Sequence, residues 1–331
     1  MHAPVHQPHM QLAILSRGYV VSRAIHALAR LGVPDLMEEQ PLPAEQIAAK
    51  AKVDVIMLER LLNFLSDYGL FTKEGHSYGL TTLSKPMRTN DPHSVRDVLN
   101  MVDENWWMAF AHLDKSLQDG KPAFDHLHGM DFFSFLGQKP ERQSNFDRGM
   151  AKLSNYDDHA IANALDLQQI KQLVDVGGGR GGLVKEIAQI HPGIELTLFD
   201  SPQVINQLNP QDFPEQVNLV AGDFFKTLPA AEAYLFKGVL HDFNDQMMQD
   251  ILRNCHQQMA AQSTLFIAEQ VIPNTNTPHP NKTMDIVMMV LLGGRQRTLA
   301  DWREIVEPIG FHLHAVIETA SIFTVLEFQK L

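Results

Sequence analysis

Residues 173–200 read LVDVGGGRGGLVKEIAQIHPGIELTLFD, and the residue types in this stretch could hold a nucleoside. Gly177, Gly178, Gly179, Gly181 and Gly182 crowd the turn between an apolar run and an amphipathic segment. Without side chains there, the backbone can turn tightly and come close to a ligand. The amphipathic segment opens a helix whose free N–H groups would face that ligand. Asp200 closes the next apolar run, where a carboxylate can accept hydrogen bonds from both ribose hydroxyls.

The glycines alone leave the cofactor open. Gly177, Gly179 and Gly182 fit the dinucleotide pattern G-x-G-x-x-G, with Asp200 near the expected distance. Gly177, Gly179 and Gly181 fit the shorter G-x-G-x-G of S-adenosylmethionine (SAM) enzymes equally well. Further along, Gly222-Asp223-Phe224-Phe225 puts a carboxylate beside aromatic rings, a pair that could bond an adenine amino group and stack on its ring. The same residues also suit a helix cap with core phenylalanines. His241 follows the apolar run 233–237, and Glu269 ends the run 265–268. Both would lie outside the carboxyl ends of strands, where open α/β sheets place their ligands. A carboxylate beside a histidine fixes its tautomer and raises its basicity, as a general base requires.

The elements that must position these residues form two patterns. From about residue 170 onward, short apolar strands are expected at 172–176, 195–199, 217–221, 233–237 and 264–268, alternating with helices. Short apolar strands of this kind belong to a parallel sheet covered on both faces. Two further strands, 312–318 and 324–328, are separated by a short turn and so pair antiparallel. A parallel sheet that ends in a β-hairpin departs from the dehydrogenase pattern. Residues 10–165 read instead as helices with one β interruption. A helix pair is expected at 43–50 and 54–68, the second capped by Asp54 and carrying Leu58, Leu61, Leu62 and Leu65 on one face. A hairpin follows at 69–82, turning at Lys73-Glu74-Gly75. Helix, helix, hairpin is a winged-helix arrangement. Its recognition helix would carry Asp54, Glu59 and Asp67 against the single cation Arg60, which is poor for phosphate contact.

Composition narrows the function classes. The 331 residues suggest two domains, expected at 1–165 and 166–331. A net charge of −12 argues against nucleic acid as a partner. One cysteine, Cys255, excludes an intrachain disulfide. No apolar run approaches the ~18–20 residues of a membrane span. The first eighteen residues lack a basic stretch followed by an apolar one, so a cytoplasmic location is expected. His126 with His128, and His312 with His314, form H-x-H pairs, but there is no H-E-x-x-H and no cysteine cluster, so no metal site is expected.

Taken in order, LARLGVPDLM, LERLLNFLSDYGLF, GMDFF, FDRGM, VDVGGGRGG, GDFF, KGVLHDFND, AEQVIP and GGRQRT make the chain resemble SAM-dependent O-methyltransferases of the plant caffeate/flavonoid and bacterial antibiotic type. The resemblance covers nearly the whole chain. It implies an α/β fold: a class I SAM-methyltransferase, Rossmann-like sheet with a C-terminal antiparallel hairpin, plus an N-terminal, mainly α, winged-helix dimerisation domain. It implies SAM as cofactor, S-adenosylhomocysteine as product and no metal. By resemblance, Gly177, Gly179 and Gly181 form the cofactor loop, Asp200 binds ribose, Asp223 and Phe224 flank adenine, and Lys237 contacts the cofactor. His241 would be the general base, followed by Asp242 in an H-D pair and flanked by Glu269. Family members with G-G-K-E-R-T carry a second glutamate where this chain has Gln296, which could still orient His241 by a hydrogen bond but brings no charge. The family also implies a homodimer through the N-terminal helices.

The implied reaction is methylation of a hydroxyl on a small aromatic metabolite of secondary metabolism. The substrate pocket is expected to draw on Trp106, Trp107, Phe110, Phe124, Met150, Met284, Met288 and Met289. Three alternatives stand beside it: a family member that methylates nitrogen or does non-methylating chemistry, a winged-helix ligand-sensing regulator, and a nicotinamide dehydrogenase.

Overall fold

The computed structural model describes residues 7–331. The chain divides into two compact units: residues up to 103 together with 139–153, and residues 104–138 together with 154–331. The expected division at 165 followed chain order. The units instead follow packing, so the helix Pro140–Ala164 is shared out at 153/154 and a helical stretch, 104–138, joins the larger unit.

In the smaller unit, Asp54 caps the helix Val55–Asp67 as its position suggests, its Oδ1 accepting the Met57 N–H at 2.9 Å. Leu58, Leu62 and Leu65 of that helix are buried against Ile47 and Ala48 of the helix Ala44–Ala51. The expected hairpin forms as β2 (Phe71–Glu74) and β3 (Ser77–Leu80). A further strand, β1 (Leu42–Pro43), adds to β3 antiparallel and gives the order β1-β3-β2. Two residues, one of them a proline, offer no alternation to read, so β1 is set by its partner Tyr78 and not by its own sequence. The expected helical region near the N-terminus forms as Pro8–Leu15 and Gly18–Arg30.

The larger unit is built on a seven-stranded sheet. Its strands are β4 (Gln172–Val176), β5 (Glu195–Asp200), β6 (Val217–Ala221), β7 (Ala233–Lys237), β8 (Thr264–Glu269), β9 (Phe311–Glu318) and β10 (Thr324–Lys330). The order is β6-β5-β4-β7-β8-β10-β9. The first five strands run parallel, and β10 lies antiparallel between β8 and β9. All five expected parallel strands are present. Alternate residues feed two cores: Val174, Val176, Tyr234 and Phe236 pack with Ile251 and Trp302, while Leu173, Leu196, Leu198 and Leu235 pack with Leu183 and Ile187. Two covered faces demand strands apolar at every position, which is what made these runs conspicuous. Among the described residues, no helix is long and apolar enough to cross a membrane.

Candidate active site

The carboxyl ends of β4, β5, β7 and β8 carry the residues that could do chemistry. β4 runs into the glycine loop, where Gly177, Gly179 and Gly181 have φ of 73°, 58° and 74°. L-residues resist that region, so these positions hold glycine for conformational reasons. Gly181 caps the helix Gly182–Ile190, and a side chain on it would overlap the Phe213 ring. A side chain on Gly179 would meet nothing within 4 Å, so the outer edge of the loop faces open space. Asp200, ending β5, ties this loop down: its carboxylate accepts the Gly179 N–H at 2.9 Å and the Ser201 N–H at 2.6 Å. Each carboxylate oxygen keeps acceptor capacity beyond those bonds, enough for ribose hydroxyls.

Carboxyl groups and one lysine gather behind the loop. Lys237, ending β7, is not free: its Nζ pairs with Asp158 Oδ1 at 2.5 Å, and Asp158 is itself buried against Gly182. Burial pushes the Asp158 carboxyl up, and the Lys237 ammonium works against that shift. Asp175 is 1% exposed, and its Oδ2 has no hydrogen-bond partner. Burial first, and then the Asp158 charge, push it up to about 7. Asp157, Asp158, Asp175 and Asp200 thus bring several carboxyl groups near Lys237. The open glycine edge and the Asp200 acceptor together fit the nucleoside part of SAM.

Asp223 follows β6 in a turn, its Oδ1 accepting the Phe225 N–H at 3.0 Å and its Oδ2 pairing with Lys226 at 3.0 Å. The bond to Lys226, then that to Phe225, hold its carboxyl below the usual range. Phe224 packs edge-on against Phe243, at 5.9 Å between ring centres, as part of the core beside it.

His241 sits on the turn Leu240–Asp242 just past β7. Its Nδ1 lies 2.6 Å from Oε2 of Glu269, which is wholly buried at the end of β8. Glu269 Oε1 also accepts the backbone N–H groups of Leu240 at 3.1 Å and His241 at 3.3 Å. The other ring nitrogen, Nε2, is 3.4 Å from Asp242 Oδ1. Burial alone would lower the imidazole pKa; Glu269 and then Asp242 outweigh it and raise it to about 9. Asp242 is pushed up to about 6, by burial first and then by Glu269, against the pull of His241.

The hydrogen bond expected from Gln296 to His241 is absent. Gln296 is 3% exposed, and neither atom of its amide has a hydrogen-bond partner. Its backbone N–H donates to Asp285 Oδ1 at 2.8 Å. The second carboxylate beside His241 is Asp242, next in the chain. Sequence reasoning also missed Asp158 and Asp175. Asp175 could have been found as an acid inside an otherwise apolar strand; Asp158 gave no signal stronger than its place among Ala160, Ile161 and Ala162.

The aromatic and methionine candidates divide. Trp106, Trp107 and Phe110 lie on the helix Glu104–Ala111, the two tryptophans half-buried and Phe110 exposed. Met284, Met288 and Met289 lie on the helix Pro280–Leu291, which packs against that helix and against Ala123–His128. Phe124 is fully buried, its ring 5.1 Å from that of Phe132 and 5.4 Å from that of Phe135, and it belongs to the core of this helical stretch. Met150 lies in the other unit, exposed. His126 pairs with Asp119 at 2.9 Å, and His312 and His314 face outward on one side of β9. Among the described residues, no three histidine, cysteine or acidic side chains gather as metal ligands.

Comparison with known proteins agrees with this geometry. A family profile for an O-methyltransferase domain matches residues 110–312, and one for an O-methyltransferase dimerisation domain matches residues 14–90. The chain is 33% identical to the phenazine O-methyltransferase PhzM of Lysobacter antibioticus over 95% of its own length and 94% of that relative. It is 31% identical to the O-demethylpuromycin-O-methyltransferase of Streptomyces alboniger, covering 94% and 85%. Among solved structures it resembles CalO1, a methyltransferase of calicheamicin biosynthesis with S-adenosylhomocysteine bound. That likeness has a TM-score of 0.89, with 26% identity over 99% of this chain and all of that one. The chain therefore belongs to the O-methyltransferase family and is a SAM-dependent O-methyltransferase.

Proposed function

We propose that the protein methylates a hydroxyl of a small aromatic metabolite without a metal, with His241 as general base. The observation that carries this reading is the 2.6 Å pair of His241 Nδ1 with buried Glu269, standing at the sheet edge that also bears the cofactor loop. The relatives named above for phenazine and O-demethylpuromycin support the acceptor class. SAM, when bound, supplies an already activated methyl group. What the chain must add is alignment and proton removal. Glu269 holds the imidazole by Nδ1, which leaves Nε2 to meet the acceptor hydroxyl. An imidazole raised to about 9 is close to a phenol at about 10, so a proton can pass between them at small cost. Asp242, beside Nε2, stabilises the imidazolium that results.

Gln296 is assigned to the acceptor and not to the base. Its buried amide offers two donors and an acceptor with no protein partner, an arrangement that is costly unless a ligand completes it. Trp106, Trp107, Phe110, Met284 and Met288 are proposed as apolar wall. Homodimer formation through the smaller unit is supported by the dimerisation-domain match and by exposed Leu12, Ile14, Leu15 and Tyr19.

The test is turnover of a panel of hydroxylated aromatics with methyl-labelled SAM, wild type beside His241→Ala. Labelled methyl on oxygen, lost in the variant while S-adenosylhomocysteine still binds, is the expected result. Full turnover by the variant would remove His241 from the reaction, and label on nitrogen would change the acceptor class.

A further inference from the structure

We propose that Arg297 is a positioning residue for methyl transfer, its guanidinium fixing the carbonyl side of the turn that carries His241. The side chain is wholly buried. It donates to the carbonyls of Leu240 at 3.4 Å and Phe243 at 3.0 Å, which lie on either side of His241 and Asp242. It donates as well to the Arg295 carbonyl at 3.1 Å and twice to Asp245 Oδ1, at 3.1 and 2.7 Å. Trp302 lies 5.4 Å from the guanidinium and closes its remaining side.

The opposite polarity of the same turn is held by Glu269, which takes the N–H groups of Leu240 and His241. A carboxylate thus collects the turn's donors and a guanidinium its acceptors, and the imidazole is suspended between two buried charges. The segment before Arg297 joins in: the Arg295 N–H donates to the His241 carbonyl at 2.9 Å, and any side chain at Gly294 would overlap that carbonyl. Four separate acceptors in several directions require a planar fork with five donors, which lysine does not have. A buried cation is costly to desolvate, and its partner Asp245 is about half exposed, so the pair is a poor device for stability alone.

Arg297 also acts on the ring through space. Its positive charge opposes those of Glu269 and Asp242 and keeps His241 lower than the two carboxylates would set it. A purely structural clamp would leave the titration of His241 where it is. The inference rests on His241 as the base, and the His241→Ala control separates failure of that reading from failure of this one.

The experiment compares Arg297→Lys and Arg297→Ala in the whole chain. It measures kcat and KM for an acceptor from the panel, the pH midpoint of kcat, and S-adenosylhomocysteine affinity. Arg297→Lys should lose at least about tenfold in kcat, and Arg297→Ala about 100-fold, the scale of an ångström-sized misplacement. Cofactor affinity should stay within about threefold, the same factor of tolerance that marks an intact cofactor half. The midpoint of the alanine variant should move to higher pH, and added guanidinium, but not methylammonium, should restore part of its kcat. Wild-type kcat in the lysine variant overturns the proposal, as does an unmoved midpoint in a folded alanine variant. Should the alanine variant fail to bind cofactor, the lysine variant alone decides.

Discussion

The proposed cofactor half and the proposed acceptor half of this site are built by different means. The cofactor half is backbone: strand ends, a glycine loop with left-handed dihedrals and Asp200 holding that loop by main-chain N–H groups. The proposed acceptor half is side chain: aromatics and methionines on the helices Glu104–Ala111 and Pro280–Leu291, with the uncompleted amide of Gln296. Backbone geometry is fixed by a few residue types at fixed spacing. Side-chain surfaces accept many solutions, so one fold can keep its cofactor while its acceptor changes.

Several substitutions bear on that contrast, the largest effect first. His241→Ala should cut kcat by roughly 10²–10⁴-fold, the usual share of a general base, while calorimetry shows S-adenosylhomocysteine binding unchanged; loss of both together would mean that the halves are not independent. Phe124→Ala should cost about 3–5 kcal/mol of stability in a denaturant titration, as for a large core ring. Phe110→Ala should instead change acceptor KM and leave stability within about 0.5 kcal/mol, as for an exposed position. If the two phenylalanines behave alike, the division between core and pocket wall is wrong.

The pH dependence sharpens the role of the base. A base works when neutral, and His241 is raised to about 9, so kcat should climb about tenfold per pH unit below that value and level off above it. Glu269→Gln removes the larger of the two carboxylate influences, and its midpoint should move to lower pH. An unchanged midpoint would mean that another group is being read. The last effect, on stability and not on turnover, belongs to Asp175. Its folded pKa, about 7, lies above the ordinary 3.8, so stability falls as pH rises across that interval, and the penalty is complete above it. Asp175→Asn removes that penalty, and its melting temperature should exceed that of the wild type at pH 8 but not at pH 4.

What could be read from the sequence follows the same contrast. The five parallel strands, the Asp54 cap and the pairing of His241 with Glu269 were legible because each depends on local pattern or on strand ends that topology brings together. The ion partner of Lys237 was not, because Asp158 comes from a helix far earlier in the chain and no spacing links the two. Phe124 and Phe110 look alike as residue types, and only packing assigns one to the core. Gln296 was expected to support His241 because family glutamates stand there, yet the neighbouring Asp242 fills that need. β1 was invisible because its two residues take their conformation from β3.

The insertion of β10 between β8 and β9 has a consequence for the candidate base. Thr324 of β10 pairs directly with Glu269, the residue that accepts the N–H groups of the His241 turn. β8 is hydrogen-bonded on both sides, to β7 and to β10, so no open edge lies beside that carboxylate. Glu269 is thus carried by an interior strand and not by a sheet margin that could slip or fray.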